Sequence, residues 1–303
     1  MKDQTLLITG ANGFTGRHAC DYFASKGNRV VAAIRRQNSL PAISGVDPRV
    51  CDLTVKNEVL AMVDDISPDF VLHLAGKNSV PESWNDPLLY MEKNVLSTLT
   101  LLDALRNHPE CRILIVGSRL KFPLVSFPYS PHPYSLSKTL EECAVLSWRE
   151  LFHQHILLAE PSNLIGPGSS TGICALLARH IVNSEQGRGM NSFRISSRYD
   201  MCDFVDVRDA ILAYDLILRK GESGRVYPIC SGIECSLGDV VTSMLELGNV
   251  SIVLEMGNAP QSSSTDDDYS CEDLHEMGWK PQIPWEQSLV EIMEYFRNGG
   301  GKG

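Results

Sequence analysis

The chain has 303 residues, 43% hydrophobic and 21% charged, an ordinary globular composition with room for one large domain and a smaller one. Its formal net charge of −10 works against phosphate backbones and anionic lipid, no basic cluster offsets it, and no apolar run reaches the ~18 residues needed to span a bilayer, so the expectation is a cytoplasmic protein with no nucleic acid and no membrane partner. The nine cysteines are odd in number and lack any CxxC spacing, and His153 and His155 have no third ligand nearby, which excludes a disulfide framework and leaves no metal site.

In chain order, residues 5–9, 30–34, 70–74, 113–116 and 156–159 read as short strands, with a further one at 49–51. Between them, 16–26, 57–63, 88–106 and 137–152 carry apolar residues three and four apart, as helices covering a sheet do. The alternation predicts βαβ units and an α/β fold built on a doubly wound parallel sheet. After Pro161 come a Gly/Ser-rich loop at 166–172, a helix ending near Asn183 and a polar stretch through Arg198. Residues 204–218 read as a return to the main sheet, and 236–247 and 285–296 as later helices, the first capped by Ser236. The expected division is a nucleotide-binding domain at 1–160 with about 204–235, a smaller C-terminal substrate-binding domain at about 161–203 with 236–297, and a flexible tail at 298–303.

The first strand runs into Gly10-Ala-Asn-Gly13-Phe-Thr-Gly16 and then into a helix. In that context Gly10 permits the tight turn, Gly13 lets the backbone approach a pyrophosphate, Gly16 lets helix and strand lie close, and the helix N-terminus offers N–H groups to an anion. The site is that of a Rossmann-type dinucleotide fold. The second strand ends at Ile34-Arg35-Arg36, without an acidic residue for the adenosine ribose hydroxyls and with two guanidiniums where a 2′-phosphate would sit. NADP(H) is therefore favoured, with NAD(H) the alternative. Asp52 and Leu53 follow the short strand and would meet the adenine.

A Tyr and a Lys four residues apart on a helix share one face, and the pattern occurs at Tyr22/Lys26 and Tyr134/Lys138. Only the second follows a strand that ends in a hydroxyl, Ser118. Hydride exchange at a carbinol carbon needs a proton donor or acceptor at its oxygen. A phenol tuned by a neighbouring ammonium supplies one, and Ser118 would orient that oxygen. A different chemistry, suggested by the GxSxG pattern at Gly168, Ser170 and Gly172, fails on context, because a nucleophile elbow needs its serine directly after a strand.

These segments resemble the extended short-chain dehydrogenase/reductases, also called the NAD-dependent epimerase/dehydratase family, and within them the GDP-mannose 4,6-dehydratase and GDP-6-deoxy-mannose reductase group. The resemblance rests on TGANGFTG around 10–16, AAIRRQNS (32–39), PDFVLHLAGKNSVPESWNDP (68–87), KNVLSTLTLLDAL (93–105), PYSLSK (133–138), PSNLIGPG (161–168), DFVDVRDA (203–210) and MGWKPQIPWEQSL (277–289). It implies Ser118, Tyr134 and Lys138 as the catalytic set. The cofactor would meet Gly10, Asn12, Gly13, Phe14, Thr15, Gly16, Arg35, Arg36, Asp52, Leu53, Leu74, Ala75, Gly76 and Asn94 besides Tyr134 and Lys138. Substrate contacts would include Ser79, Val80, Ser118 and Asn163, with Arg179 a substitute for arginines that the family usually carries. It also implies a homodimer through the helices at 88–106 and 137–152.

The departures narrow the reaction. The run Ser118-Arg119-Leu120 lacks the glutamate that dehydratases carry beside the catalytic hydroxyl, and Glu160 and Cys202 stand where arginines are usual near the substrate. The expected function is an NAD(P)-dependent oxidoreductase acting on a sugar nucleotide, most simply a 4-keto-6-deoxy sugar nucleotide reductase. The alternatives are an NAD-dependent sugar-nucleotide 4-epimerase and, from another class, a non-catalytic dinucleotide-binding sensor or scaffold.

Overall fold

Aliphatic runs such as Leu6-Leu7-Ile8 and Val30-Val31-Ala32 are buried on both faces, the signature of strands inside a covered parallel sheet. In the computed structural model, which describes residues 4–37, 40, 42–124, 130–188, 192–257 and 269–300, they form β1 (Thr5–Thr9) and β2 (Arg29–Ile34), joined by α1 (Phe14–Ser25). There follow β3 (Val46–Val50), α2 (Lys56–Ile66), β4 (Phe70–His73), α3 (Val80–Asn85), α4 (Pro87–Tyr90), a π-helical turn (Met91–Leu96), α5 (Ser97–Ala104) and β5 (Arg112–Val116). The chain continues through α6 (Pro133–Phe152), β6 (His155–Pro161), β7 (Asn163–Ile165), α7 (Ile173–Glu185), β8 (Phe193–Ile195), β9 (Met201–Asp206), α8 (Val207–Lys220) and β10 (Val226–Ile229). It ends with β11 (Glu234–Ser236), α9 (Leu237–Leu247), β12 (Leu254–Met256), α10 (Glu272–Glu276) and α11 (Trp285–Arg297). Of the tail expected at 298–303, residues 301–303 lie outside the described residues.

Seven strands form the main sheet in the order β3-β2-β1-β4-β5-β6-β10. The ladders β1–β2, β2–β3, β1–β4, β4–β5 and β5–β6 are parallel, and β10 joins with the same sense, Leu158 N donating to Arg225 O and Ser162 N to Ile229 O. The strand order reverses between β1 and β4, which places a crevice at their carboxyl ends. Val59, Met62 and Val63 of α2, Leu101 and Leu102 of α5 and Val145 of α6 pack on one face of the sheet against Leu7, Val31, Val71, Ile113 and Ile156. Each fully buried side chain of this kind contributes roughly 1.5–3 kcal/mol.

The helix expected at 88–106 is composite. Asp86 caps α4 by accepting from Leu89 N with Pro87 in the first turn, and the π turn then inserts one residue that carries Asn94 into the interior. A second departure concerns 204–218. Residues 204–206 end β9, which pairs in parallel with β7 and antiparallel with β11 in a separate three-stranded sheet, and β10 is the strand that completes the main one. Apolar periodicity identifies a strand without naming its sheet.

The chain divides into two units, Met1–Glu160 with Ile211–Tyr227, and Pro161–Ala210 with Pro228–Gly303. Of the 204–235 span expected with the first, only 211–227 falls there. The second unit holds its own core from α7, α9 and α11. Buried carboxylates pin it: Asp203 accepts from Ser162 Oγ and from Ser231 and Gly232 N, Asp206 from Ser288 Oγ, and Asp209 from Gln282 and Ile283 N. The segments 203–210 and 277–289 are thus joined to each other structurally.

Arg112, at the start of β5, closes the far end of the first unit. It donates to Leu218 O at 2.6 Å and Gly221 O at 2.7 Å, around the C-terminus of α8 whose last carbonyls have no helical partners, and to His155 Nε2 at 2.8 Å. Replacing Arg112 with Ala should lower unfolding free energy by about 2–4 kcal/mol, read as a reduced urea midpoint at unchanged m-value.

Candidate active site

At the reversal of strand order β1 and β4 come close enough to exclude side chains from the loop. A Cβ on Gly10, whose φ is +66°, would lie 2.7 Å from Ala75 N, and one on Gly16 would lie 2.2 Å from Gly10 O. The first turn of α1 has no side-chain cap and no acidic residue. Its N–H groups are thereby left for an anion. Gly10, Asn12 and Gly13 open onto a cavity of about 280 Å³ that continues past Arg35, Asp52 and Leu53 on one side and Leu74, Ala75 and Gly76 on the other. This shape and donor set fit a dinucleotide, with Arg35, Lys77 and Lys93 the cations along it. Arg36 is exposed and Phe14 and Thr15 begin α1 outside the lining. Asp52 accepts from the Thr54 amide and hydroxyl, which hold its carboxyl below the ordinary range.

α6 begins at Pro133, capped by His132, whose Nδ1 accepts from Ser135 N, so Tyr134 and Lys138 stand one turn apart in its first two turns. Both are buried. Burial pushes the Tyr134 phenol up, opposed by Lys138 and by a hydrogen bond with Ser118 and reinforced by Glu141. Lys138 Nζ donates to Val116 O at 3.2 Å and to Glu141 Oε2 at 2.5 Å. Burial works against its charge, yet Glu141 and Tyr134 hold its pKa above the usual lysine value. Asn94 accepts from Lys77 N and donates to Lys77 O and to Ser137 Oγ, tying the loop after β4 to α6.

Behind this set runs a line of buried polar groups. Thr9 Oγ1 lies 2.8 Å from His73 Nδ1, His73 Nε2 lies 2.9 Å from Thr98 Oγ1, and the single Thr98 hydroxyl proton is shared between two acceptors, Asn94 O at 2.6 Å and Glu141 Oε1 at 3.0 Å. Since Thr98 spends its proton on those acceptors, the histidine donates from Nε2 and accepts at Nδ1. It is neutral. Burial, helped by the charge on Lys138, takes its pKa from 6.5 down to about 3.

The remaining candidates separate. Tyr22 donates to Asp215 Oδ2 with Lys26 over its ring, a structural pair. Ser170 Oγ accepts from Gly172 N on a loop ahead of α7, not on a strand-end elbow. Ser79 caps α3, which starts at Val80, and Ser79 N and O both meet Tyr90 OH. In the second unit Asn163 donates to Asp203 O and Arg179 is exposed on α7. Glu160 pairs with Lys121 at 2.5 Å, and Lys121 also meets Glu142 at 2.7 Å. Burial and Glu142 push Glu160 up to about 8 against the pull of Lys121. Lys93, Glu141, His73 and Thr98 were not apparent from the sequence, in which nothing separates them from surface or core residues. Among the described residues no cluster of His, Cys, Asp and Glu could hold a metal ion, and no helix is long and apolar enough to cross a membrane.

The family model for the NAD dependent epimerase/dehydratase family matches residues 6–230. GDP-6-deoxy-D-mannose reductase of Pseudomonas aeruginosa is 31% identical over 305 residues, 96% of each chain. The structure of RMD from Pseudomonas aeruginosa complexed with NADPH superposes with a TM-score of 0.79 at 29% identity, over 97% of this chain and 99% of that one. The UDP-glucose 4-epimerase of Thermus thermophilus, solved with NAD, shares the fold at a TM-score of 0.83 and 21% identity over 97% and 99%.

His73 makes the site acid-sensitive. Its folded pKa is depressed, so the stability it permits is complete above about 6.5 and declines as pH falls towards 3, where the unfolded chain takes up a proton that the folded one refuses. Urea midpoints should drop over that window with a slope of up to ~1.4 kcal/mol per pH unit from this group, and His73→Asn should flatten it.

Proposed function

This chain belongs to the NAD dependent epimerase/dehydratase family, and from that premise we propose that it is an NADPH-dependent reductase of a 4-keto-6-deoxy sugar nucleotide. The observation that carries the reading is Tyr134, a buried phenol whose pKa is raised, hydrogen-bonded to Ser118 and one turn from Lys138. A protonated phenol at neutral pH is a proton donor, and reduction of a carbonyl needs one. When bound, NADPH supplies the hydride. Ser118 orients the carbonyl oxygen, Tyr134 gives that oxygen its proton, and Lys138 stabilises the phenolate that remains. Arg119 follows Ser118 and no carboxylate stands beside it in the run to Lys121, which leaves a dehydratase without its acid.

Arg35 on the cavity wall supports NADPH over NADH. A homodimer is part of the same reading. Leu88, Leu96, Leu140 and Leu151 are exposed on α4, the π turn and α6, the last two three turns apart on one face. All nine cysteines are free thiols, which suits a reducing cytoplasm.

The test is oxidation of NADPH with a panel of 4-keto-6-deoxy sugar nucleotides. Tyr134→Phe should cost 100-fold or more in kcat/KM, within the ~10²–10⁴ of general acid catalysis. Arg35→Ala should weaken NADPH by about 10-fold or more while leaving NADH nearly unchanged, as loss of a charge-assisted contact to phosphate requires. Turnover that survives Tyr134→Phe would sink the mechanism, and tight cofactor binding without turnover of any ketosugar would favour the epimerase or the sensor. Light scattering at the mass of a single chain would remove the dimer.

A further inference from the structure

Lys138 has a fully buried anion beside it that the mechanism above does not use. Glu141 is 2% exposed, its Oε2 lies 2.5 Å from Lys138 Nζ, and its Oε1 is held by Thr98. A lone carboxylate in such a place would be neutral, and burial does raise the Glu141 pKa, but Lys138 and the Thr98 hydroxyl pull against it. A lone ammonium would likewise lose its proton. The 2.5 Å contact offsets that burial for both, and the ion pair presents no net charge to Tyr134.

The other groups around the pair do not substitute for Glu141. On β4, His73 is neutral. At the end of β6 Glu160, pushed up to about 8, ionises before the Tyr134–Lys138 pair does, and its pull on Lys138 is smaller than that of Glu141 because Lys121 stands between it and Glu142. Ser118 at the end of β5 is uncharged. His132 stacks on the Tyr134 ring with centroids 6.0 Å apart, Tyr90 meets it edge-on at 6.2 Å, and burial lowers the His132 pKa so that its ring is neutral at pH 7.

We propose that Glu141 is a positioning residue of the catalytic set, the counter-ion that keeps the proton on the buried Tyr134–Lys138 pair through neutral pH and so keeps the pair ready to donate it. The inference rests on the reductase reading for its purpose but not for its test. Tyr134 and Lys138 exchange charge at close range, so they lose their first proton as a unit, from whichever holds it less firmly. Removing one negative charge next to them lowers the pH at which that happens. Gln at 141 preserves the shape: its oxygen can face Lys138, and its amide can donate to Thr98, whose proton then goes to Asn94 O.

The experiment is substrate-free carbon NMR of chains labelled at tyrosine Cζ and lysine Cε, with Tyr134→Phe and Lys138→Met assigning the two resonances. In Glu141→Gln the first of the two to titrate should do so about one pH unit or more below the wild-type midpoint, the interval that one adjacent charge commands. Glu141→Met, which fills the volume without charge, should shift it in the same direction. An unchanged or raised midpoint in either variant overturns the proposal. So does failure of both variants to fold, which would make Glu141 a purely structural residue. In the NADPH assay the loss of reduction at high pH should move down by the same interval. If the NMR midpoint moves while no ketosugar is reduced by either protein, the reductase reading fails and the role of Glu141 stands.

Discussion

One line of hydrogen bonds, Lys138–Glu141–Thr98–His73–Thr9, ties together the parts of this protein that must act in concert. It begins on α6, crosses α5 and β4 and ends on β1, one residue before the glycine loop. At that end Thr9 Oγ1 accepts from Leu74 and Ala75 N, the same backbone that forbids a side chain on Gly10. The glycine loop and the helix that carries Tyr134 and Lys138 therefore share a single polar core. In a low-dielectric interior such a line is stable only when every member is satisfied, because a missing partner leaves a buried group with the full cost of desolvation.

That constraint explains which features were readable from the sequence. The glycine loop, the Tyr134/Lys138 pair and the strands β1, β2, β4, β5 and β6 announce themselves by spacing, since each depends on local geometry: a turn, one helical repeat, a run of aliphatic side chains. The members of the polar line carry no such signal. Thr9 and His73 end strands whose neighbours are all apolar. Thr98 reads as a tolerated helix residue, and Glu141 looks like half of an ordinary exposed Glu-Glu pair. The actual pair divides, Glu141 facing Lys138 inside while Glu142 meets Lys121. A difference of one position on a helix turns a side chain by 100°, and sequence spacing alone does not say where the solvent is.

The same limit applies to the composite helix and the separate sheet. Asn94 reaches Lys77 and Ser137 because of a π turn, and the extra residue of such a turn leaves no mark on hydrophobic periodicity. β9 has the composition of a core strand, and tertiary pairing alone assigns it to β7 and β11. Glu160 shows how a buried carboxylate is accommodated. Lys121 comes in from the loop after β5 to stand between Glu160 and Glu142.

The position of β10 at the edge of the main sheet carries a consequence for how the chain is made. β6 is made after β5, its partner on one side, but its other edge waits for 226–229, and Arg112 waits for the carbonyls of Leu218 and Gly221. At about 5–20 residues per second the intervening segment takes several seconds to synthesise. Throughout that time the nascent chain displays an unpaired aliphatic strand edge, a template for adding a foreign strand. A chaperone that shields hydrophobic chain during translation would therefore be needed most between the emergence of β6 and that of β10.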